Sequence, residues 1–261
     1  MIQQAQPFFN KCTSRYEEYF GPKQNDYYLF QFNISDDTCA EIFAIPDGYI
    51  DIFIDLTAKS TFDAKIYGFI KNKHITDLIP GHEYFGIRLH PSYAIAFFDS
   101  PLKDTCEQVV DLQCLAKDRL EIFKRMTEKR TFMERAAYIN KAFGPILYNE
   151  KKYSLLVDWI LSQLRYSKGN IKIKSLVYQS GYSDVYIRRI FKEHIGLSCK
   201  MYSDIVRFQS AIQKLNQEGE SDFFAIIEGL GYYDQSHFIH ELKRFSGYTP
   251  RSLQEKLRNS G

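Results

Sequence analysis

Cysteine is scarce in this chain: five in 261 residues, at positions 12, 39, 106, 114 and 199. No two have Cys-x-x-Cys spacing and the count is odd. That excludes a disulfide framework and a zinc finger, and suits a reducing compartment. Long apolar runs are missing as well. Stretches such as Tyr93–Phe98 fall far below the roughly 20 residues that span a bilayer, so no membrane partner is expected. The N-terminus, MIQQAQPFFNKC, lacks the basic-then-apolar design of a secretory signal, and a cytoplasmic location is expected. No nucleophile elbow, phosphate loop or dinucleotide fingerprint occurs. The expectation is therefore a chain without catalytic residues or cofactor, not an enzyme.

Aromatic side chains, by contrast, are abundant, with 21 Phe and 19 Tyr, and hydrophobic residues make up 44% of the sequence. A sizeable core follows, in a length that suits two ordinary domains. Net charge is only +2, but it is unevenly placed. Residues 1–150 carry 17 Lys/Arg against 21 Asp/Glu, a balance of −4; residues 151–261 carry 17 against 11, a balance of +6. An acidic front and a basic back fit one module on a polyanion and another with a different task, or simply a solvated basic face.

The first hundred residues have strand character. Segments 27–32, 41–46, 49–56, 64–70 and 83–89 are short, rich in Tyr, Phe and Ile, and bounded by turns such as Pro46-Asp47-Gly48. Ile50, Ile52, Ile54 and Leu56 alternate with Asp51, Phe53 and Asp55, as in a half-buried strand. An antiparallel sandwich or barrel is expected. Helical periodicity takes over after about residue 110. Two helices are expected over Asp118–Lys129 and Thr131–Phe143, with a break at Gly144-Pro145 and a linker over 144–152. Everything from Leu155 onward has helical spacing. The division is 1–145, β-rich with terminal helices, and 146–261, all helical.

The second part repeats itself. Residues 181–193 are GYSDVYIRRIFKE and residues 231–244 are GYYDQSHFIHELKR. Each copy has aliphatics four and five residues before the Gly, an aromatic after it, an Asp three residues on, and a lysine further along (Lys192, Lys243). Gly supplies the backbone freedom where a first helix stops, and the polar pair after the aromatic can cap a second. Core-facing positions are Tyr186, Ile187 and Phe191 in one copy and His237, Phe238 and Leu242 in the other. Helix, tight turn, helix is the design whose second helix lies in a DNA major groove. One copy would be weak evidence; two copies are hard to obtain by chance.

At these residues the chain resembles the AraC/XylS-type bacterial transcription regulators. GYSDVYIRRIFKEHIGLS and GYYDQSHFIHELKRFSGYTP look like the family's paired helix-turn-helix region, and RFQSAIQKL (207–215) like the long helix joining the motifs. The likeness covers about residues 155–257. It departs at Val177 and Ile227, where a small Ala is usual, and at Glu241 and Leu242. Residues 45–56 and 79–98 resemble, less closely, the sensory β-domain found ahead of this region in a subset of the family. That implies a small cupin-like barrel followed by dimerisation helices.

The expected partner is double-stranded DNA. A linking helix over Met201–Gln217 would be roughly 25 Å long and would set two recognition helices about one DNA turn apart. Base contacts are expected from Val185, Arg188 and Arg189 in the first motif and Gln235, Ser236, Ile239 and His240 in the second. Arg188 matches guanine bidentately and Gln235 suits adenine, whereas Arg189 could serve an internal salt bridge and His240 could be a plain surface residue. Asp184 and Asp234 fit helix caps better than readers. Phosphate candidates are Lys192, Lys200, Arg207, Lys243, Arg244 and Arg251, with Arg207 equally suited to strut the motifs internally. Thr249 and Pro250 should start the last helix.

In the front half a small-molecule effector is expected in an aromatic lumen, with Arg88, Tyr49, Phe53 and Tyr84 as its residues; a filled core explains the same rings, and Asp51 or Asp55 would equally satisfy Arg88. Leu120, Phe123, Phe132, Ala136 and Ile139 offer either a homodimer seam or packing on the sheet. RNA polymerase is a partner if the protein activates. The alternatives are a cupin-like metal enzyme using His82 or His90 and fused to a DNA-binding tail, and a constitutive DNA-binding regulator with no ligand. The His and Glu spacing does not match the usual metal-binding pattern, so no metal is expected.

Overall fold

The computed structural model describes residues 6, 13–21, 27–35, 42–58, 62–98, 101–149, 155–217 and 223–258. Cys12 and Cys39 lie outside the described residues. The fold is α+β: an antiparallel sheet with helices, followed by a helical double helix-turn-helix region.

The front sheet has six strands in the order β1-β2-β7-β4-β5-β8. They are β1 (Thr13–Phe20), β2 (Tyr27–Ile34), β4 (Ile50–Asp55), β5 (Ala64–Tyr67), β7 (Glu83–Leu89) and β8 (Val109–Asp111). A second ladder pairs β3 (Phe43–Ala44) with β6 (His74–Ile75). Among the described residues β1 and β8 do not pair with each other, so the expected barrel is an open sheet. Its two faces bury different partners, which is why β4 is buried on both sides rather than half-buried. Ile50, Ile52 and Ile54 point into the main core, with Leu29, Ile87 and the helices. Phe53 points the other way, into an aromatic cluster with Phe30, Phe32 and Tyr84. Phe30 packs edge-on against Phe53 at 5.7 Å, and Phe32 stacks on Tyr84 at 5.6 Å. Gly86 makes room for this: a Cβ there would stand 2.3 Å from Phe30. The rings pack on one another along the sheet face where a lumen was expected.

Helices begin earlier than the periodicity predicts. α1 (Pro91–Phe98) follows β7 directly, and its unbroken apolar stretch is buried almost throughout. A 3-10 turn (Leu102–Thr105), β8, the short α2 (Leu112–Leu115) and a second 3-10 turn (Lys117–Arg119) lead to α3 (Leu120–Thr127) and α4 (Phe132–Asn149). α4 does not break at Gly144-Pro145. Proline removes only the hydrogen bond to Lys141, and so close to the helix end that loss is tolerated. The dimer-seam reading of these helices fails: Phe123, Ala136 and Ile139 are fully buried, Phe132 nearly so, and Leu120 packs against the same core. Phe123 meets Phe97 at 5.9 Å, and Phe132 meets Phe85 at 6.1 Å. The apolar stripe is spent on the chain's own sheet.

The helical region comprises α5 (Leu155–Tyr166), α6 (Ile173–Ser180), α7 (Asp184–Ile195), α8 (Cys199–Gln217), α9 (Phe223–Gly229), α10 (Gln235–Ser246) and α11 (Pro250–Arg258). α8 starts two residues before the expected Met201, and at 19 residues it is about 28 Å long. Residues 202–212 of this rod are buried all round, between the two motifs and the front domain. The main core runs without interruption from Tyr27 to Leu257.

Candidate nucleic-acid interface

Each motif stops its first helix on a left-handed glycine, Gly181 (φ 72°) or Gly231 (φ 69°). After Gly181, Tyr182 stacks on Tyr186 at 5.1 Å, and Ser183 caps α7 by accepting from the Tyr186 N–H. After Gly231, Tyr232 is buried edge-on against Phe238 at 5.0 Å, and Asp234 caps α10 by accepting from the His237 N–H at 2.7 Å. The second turn is thus one residue longer. Asp234 is the cap foreseen for it, whereas in the first copy the cap is Ser183. Asp184 lies in the first helical turn, where its charge complements the N-terminus. The extra residue also moves the lysines: Lys192 and Lys243 differ by one when counted from the first Gly. They coincide when counted back from the glycines that end each helix, Gly196 (φ 82°) and Gly247 (φ 79°).

In that register the two open faces correspond residue for residue. Asp184, Val185, Arg188, Arg189 and Lys192 on α7 match Gln235, Ser236, Ile239, His240 and Lys243 on α10. The buried faces match too. Ile187, Phe191 and Ile195 anchor α7, and Phe238, Leu242 and Ser246 anchor α10 together with Phe245. Tyr186 and His237, expected inside, are only half-buried. Val185 is 76% exposed, and Gln235, Ser236 and His240 are also exposed; Ile239 is half-buried against the core.

The arginines on α7 are tethered to their own helix. Arg188 Nε lies 2.8 Å from both Asp184 oxygens, and Arg189 reaches Glu193 at 3.3 Å. Both side chains are more than half exposed, so each pair is worth only a few tenths of a kcal/mol. A stronger acceptor can replace it. Lys192, Lys243, Arg244 and Arg251 are exposed, as is Lys200, which reaches Asp204 at 2.7 Å.

Of the two roles expected for Arg207, phosphate contact and internal strut, the structure shows the strut. Arg207 is 5% exposed and cannot reach a phosphate. Its Nη2 donates to Asp204 on the rod at 2.8 Å and to Glu241 on α10, its Nε donates to Glu241 at 3.1 Å, and its plane lies over Tyr232 at 4.8 Å. Burial opposes the charge, but Glu241 and Asp204 outweigh it and hold the guanidinium above its ordinary pKa. Arg207 is a strut between rod and second motif. The signal for it in the sequence was Glu241, a carboxylate on the buried side of α10.

Arg88, expected to meet either an anionic ligand or one of Asp51 and Asp55, is occupied by Asp51. It is 4% exposed; Nε and Nη2 meet Asp51 at 2.7 and 2.6 Å, and Nη1 meets Asp47 at 3.0 Å. Two carboxylates face one guanidinium, so no cationic capacity is left for an anion. Tyr49 and Phe30 flank the same guanidinium at 6.0 Å each. Phe53 and Tyr84 stand further along the same sheet face and line a small cleft with Tyr67, Asp63 and Asp77. His82 pairs with Asp55 at 2.6 Å. His90 is buried, its Nδ1 accepts from the Ser92 N–H at 3.4 Å, and burial followed by the nearby Arg165 charge pushes its pKa well below the ordinary value.

Comparison with known proteins supplies the decision. Residues 176–256 match a helix-turn-helix domain family, and residues 26–111 match a domain of unknown function, DUF6597. The probable transcription factor PqrA of Proteus vulgaris is 30% identical over 100 residues, covering 38% of this chain and 80% of that protein. The chain belongs to the AraC/XylS family of transcription regulators. It is a DNA-binding transcription regulator, and its helix-turn-helix region is the DNA-binding part. Among solved structures, ToxT from Vibrio cholerae is similar over 93% of this chain and 98% of its own, with 13% identity and a TM-score of 0.44. The C-terminal domain of AraT from Geobacillus stearothermophilus covers 40% of this chain and 88% of its own, with 22% identity and a TM-score of 0.38. No helix among the described residues is long and apolar enough to cross a membrane.

Proposed function

We propose that one chain reads two successive major-groove segments of a single duplex, one with α7 and one with α10. The observation that carries this reading is the pair of exposed faces in matching helical register, each on a helix whose other side is locked to the buried rod. The rod length of about 28 Å suits segments one helical turn, roughly 34 Å, apart. Arg188 leaves Asp184 to donate both hydrogen bonds of its fork to guanine O6 and N7, and Arg189 contacts a neighbouring base. Val185 packs on a thymine methyl. Gln235 pairs with adenine N6 and N7, and Ser236, Ile239 and His240 complete the second contact set. Lys192, Lys200, Lys243, Arg244 and Arg251 neutralise phosphates and carry affinity rather than sequence choice.

The functional division is 1–145 for a sensory unit and 146–261 for the DNA-binding unit, in a cytoplasmic bacterial regulator. The sensory unit takes a small-molecule effector against its aromatic sheet face, along the row Tyr49, Phe53 and Tyr84. RNA polymerase is the partner if the bound protein activates. Two reading heads per chain let a monomer recognise an asymmetric site without a second copy. The test is Arg188→Ala, measured on a duplex selected from a random pool. Binding should weaken by about 1–3 kcal/mol, with one base position relaxed. An equal loss on every sequence would reassign Arg188 to a phosphate.

A further inference from the structure

Among the described residues the front domain meets the DNA-binding region at α5, where Ser92 Oγ donates to Asp158 at 2.6 Å, and at three further stations, two of which are the C-terminal ends of the recognition helices. At the first of these three, Gly196 closes α7 directly on the turn after Leu102: a Cβ there would stand 2.7 Å from Lys103 Cα and 3.1 Å from Cys106 Cβ. At the second, the residues that close α10 rest on the β3–β6 ladder. Lys73 Nζ lies 3.5 Å from the Phe43 ring centre and 5.2 Å from that of Tyr248, and a Cβ on Gly247 would meet Lys73 Cδ at 3.5 Å. Between them, loop 46–48 grips the middle of the rod. Gln209 Nε2 donates to the Pro46 carbonyl at 2.7 Å, and the Tyr202 hydroxyl donates to the Gly48 carbonyl at 3.4 Å.

From this arrangement we infer that the front domain is a jig that fixes the separation and rotation of α7 and α10, so that Phe43 and Lys73 are positioning residues for DNA recognition although neither lies on a recognition helix. A helix pair joined only by a rod has freedom at the rod's two ends. Seating both far ends on one sheet-based body removes it, and leaves the N-terminal halves of α7 and α10 as the free, DNA-facing ends. Loop 46–48 also carries Asp47, the partner of Arg88 on the aromatic sheet face, so the jig and the proposed effector surface share one loop.

The inference rests on the reading in which both helices contact DNA, and the experiment separates the two. The full chain is footprinted on its selected duplex, and affinity is then compared with a duplex carrying one extra base pair between the protected segments. That insertion adds about 3.4 Å and about 34°. The wild type should lose about tenfold or more in affinity, the loss of at least one mis-set base contact. Phe43→Ala and the milder Lys73→Ala, checked for an intact melting transition, should bind the original duplex less tightly yet tolerate the insertion within about threefold. Full spacing discrimination in a folded variant would overturn the jig while leaving the two-segment reading intact. Protection of a single segment by the wild type would overturn both.

Discussion

Arg207→Ala separates a strut from a phosphate contact. In the native chain the guanidinium faces Glu241, whose side chain is 6% exposed, and Asp204, whose side chain is 11% exposed. Truncation leaves two carboxylates close together with little solvent. Removing one partner of a buried ion pair costs about 3–5 kcal/mol, because the remaining charge stays uncompensated. The lost cation–π contact with Tyr232 adds about 1 kcal/mol. For a chain of this size the combined loss of about 4–6 kcal/mol corresponds to a fall in melting temperature of about 8–24 °C. Arg207→Met combined with Glu241→Leu removes both charges at similar volume and should recover most of the loss. The assays are thermal unfolding and the salt dependence of DNA binding at a temperature where both proteins are folded. Five remaining phosphate candidates give a slope of log affinity against log salt of about −4 to −5. A strut leaves that slope unchanged on substitution. Native stability in Arg207→Ala together with a slope shallower by about one would refute the reasoning and return Arg207 to the phosphates.

Two further outcomes follow from local chemistry. His90 has its folded pKa depressed below 6.5 by burial and by Arg165, so the unfolded chain binds the extra proton. Its contribution is complete above about pH 6.5 and is lost as pH falls below that value, at up to about 1.4 kcal/mol per pH unit. Melting between pH 7 and 5.5 should show this acid limb, and His90→Gln should flatten it; an unchanged limb in the variant would assign it to other groups. The two turn glycines should respond unequally. A Cβ on Gly181 meets nothing within 4 Å, so Gly181→Ala costs only its left-handed backbone, about 1 kcal/mol. Gly231→Ala adds a collision with Asn170 at 1.9 Å and should cost more, which paired denaturation curves would register.

Much of the fold was legible because the repeat writes its own geometry. Gly at the turn, a capping side chain and apolar spacing on each second helix marked where α7 and α10 begin. What the motif spacing concealed was the longer second turn, since Gly-Tyr-x-Asp looks identical in both copies while the cap shifts from Ser183 to Asp234. Charge was the weaker guide. Arg207 and Arg88 each allow two readings in one dimension, a ligand for an anion or a member of an internal ion pair. Their satisfaction depends on carboxylates 34 and 37 positions away, at Glu241 and Asp51, which only the packing brings near. The amphipathic stripe of α3 and α4 was visible, but a stripe does not say which surface covers it. The alternation in β4 predicted one buried face, and the second was hidden because its cover is an aromatic cluster from β2 and β7.

The central claim is that α7 and α10 sit in successive major-groove segments on one side of a duplex. Hydroxyl-radical footprinting of the full chain on a duplex selected from random sequence tests it most directly. Two protected segments about 10 base pairs apart on one face, surviving an excess of random competitor, are the predicted result. One protected segment, or protection that the competitor erases, would contradict it.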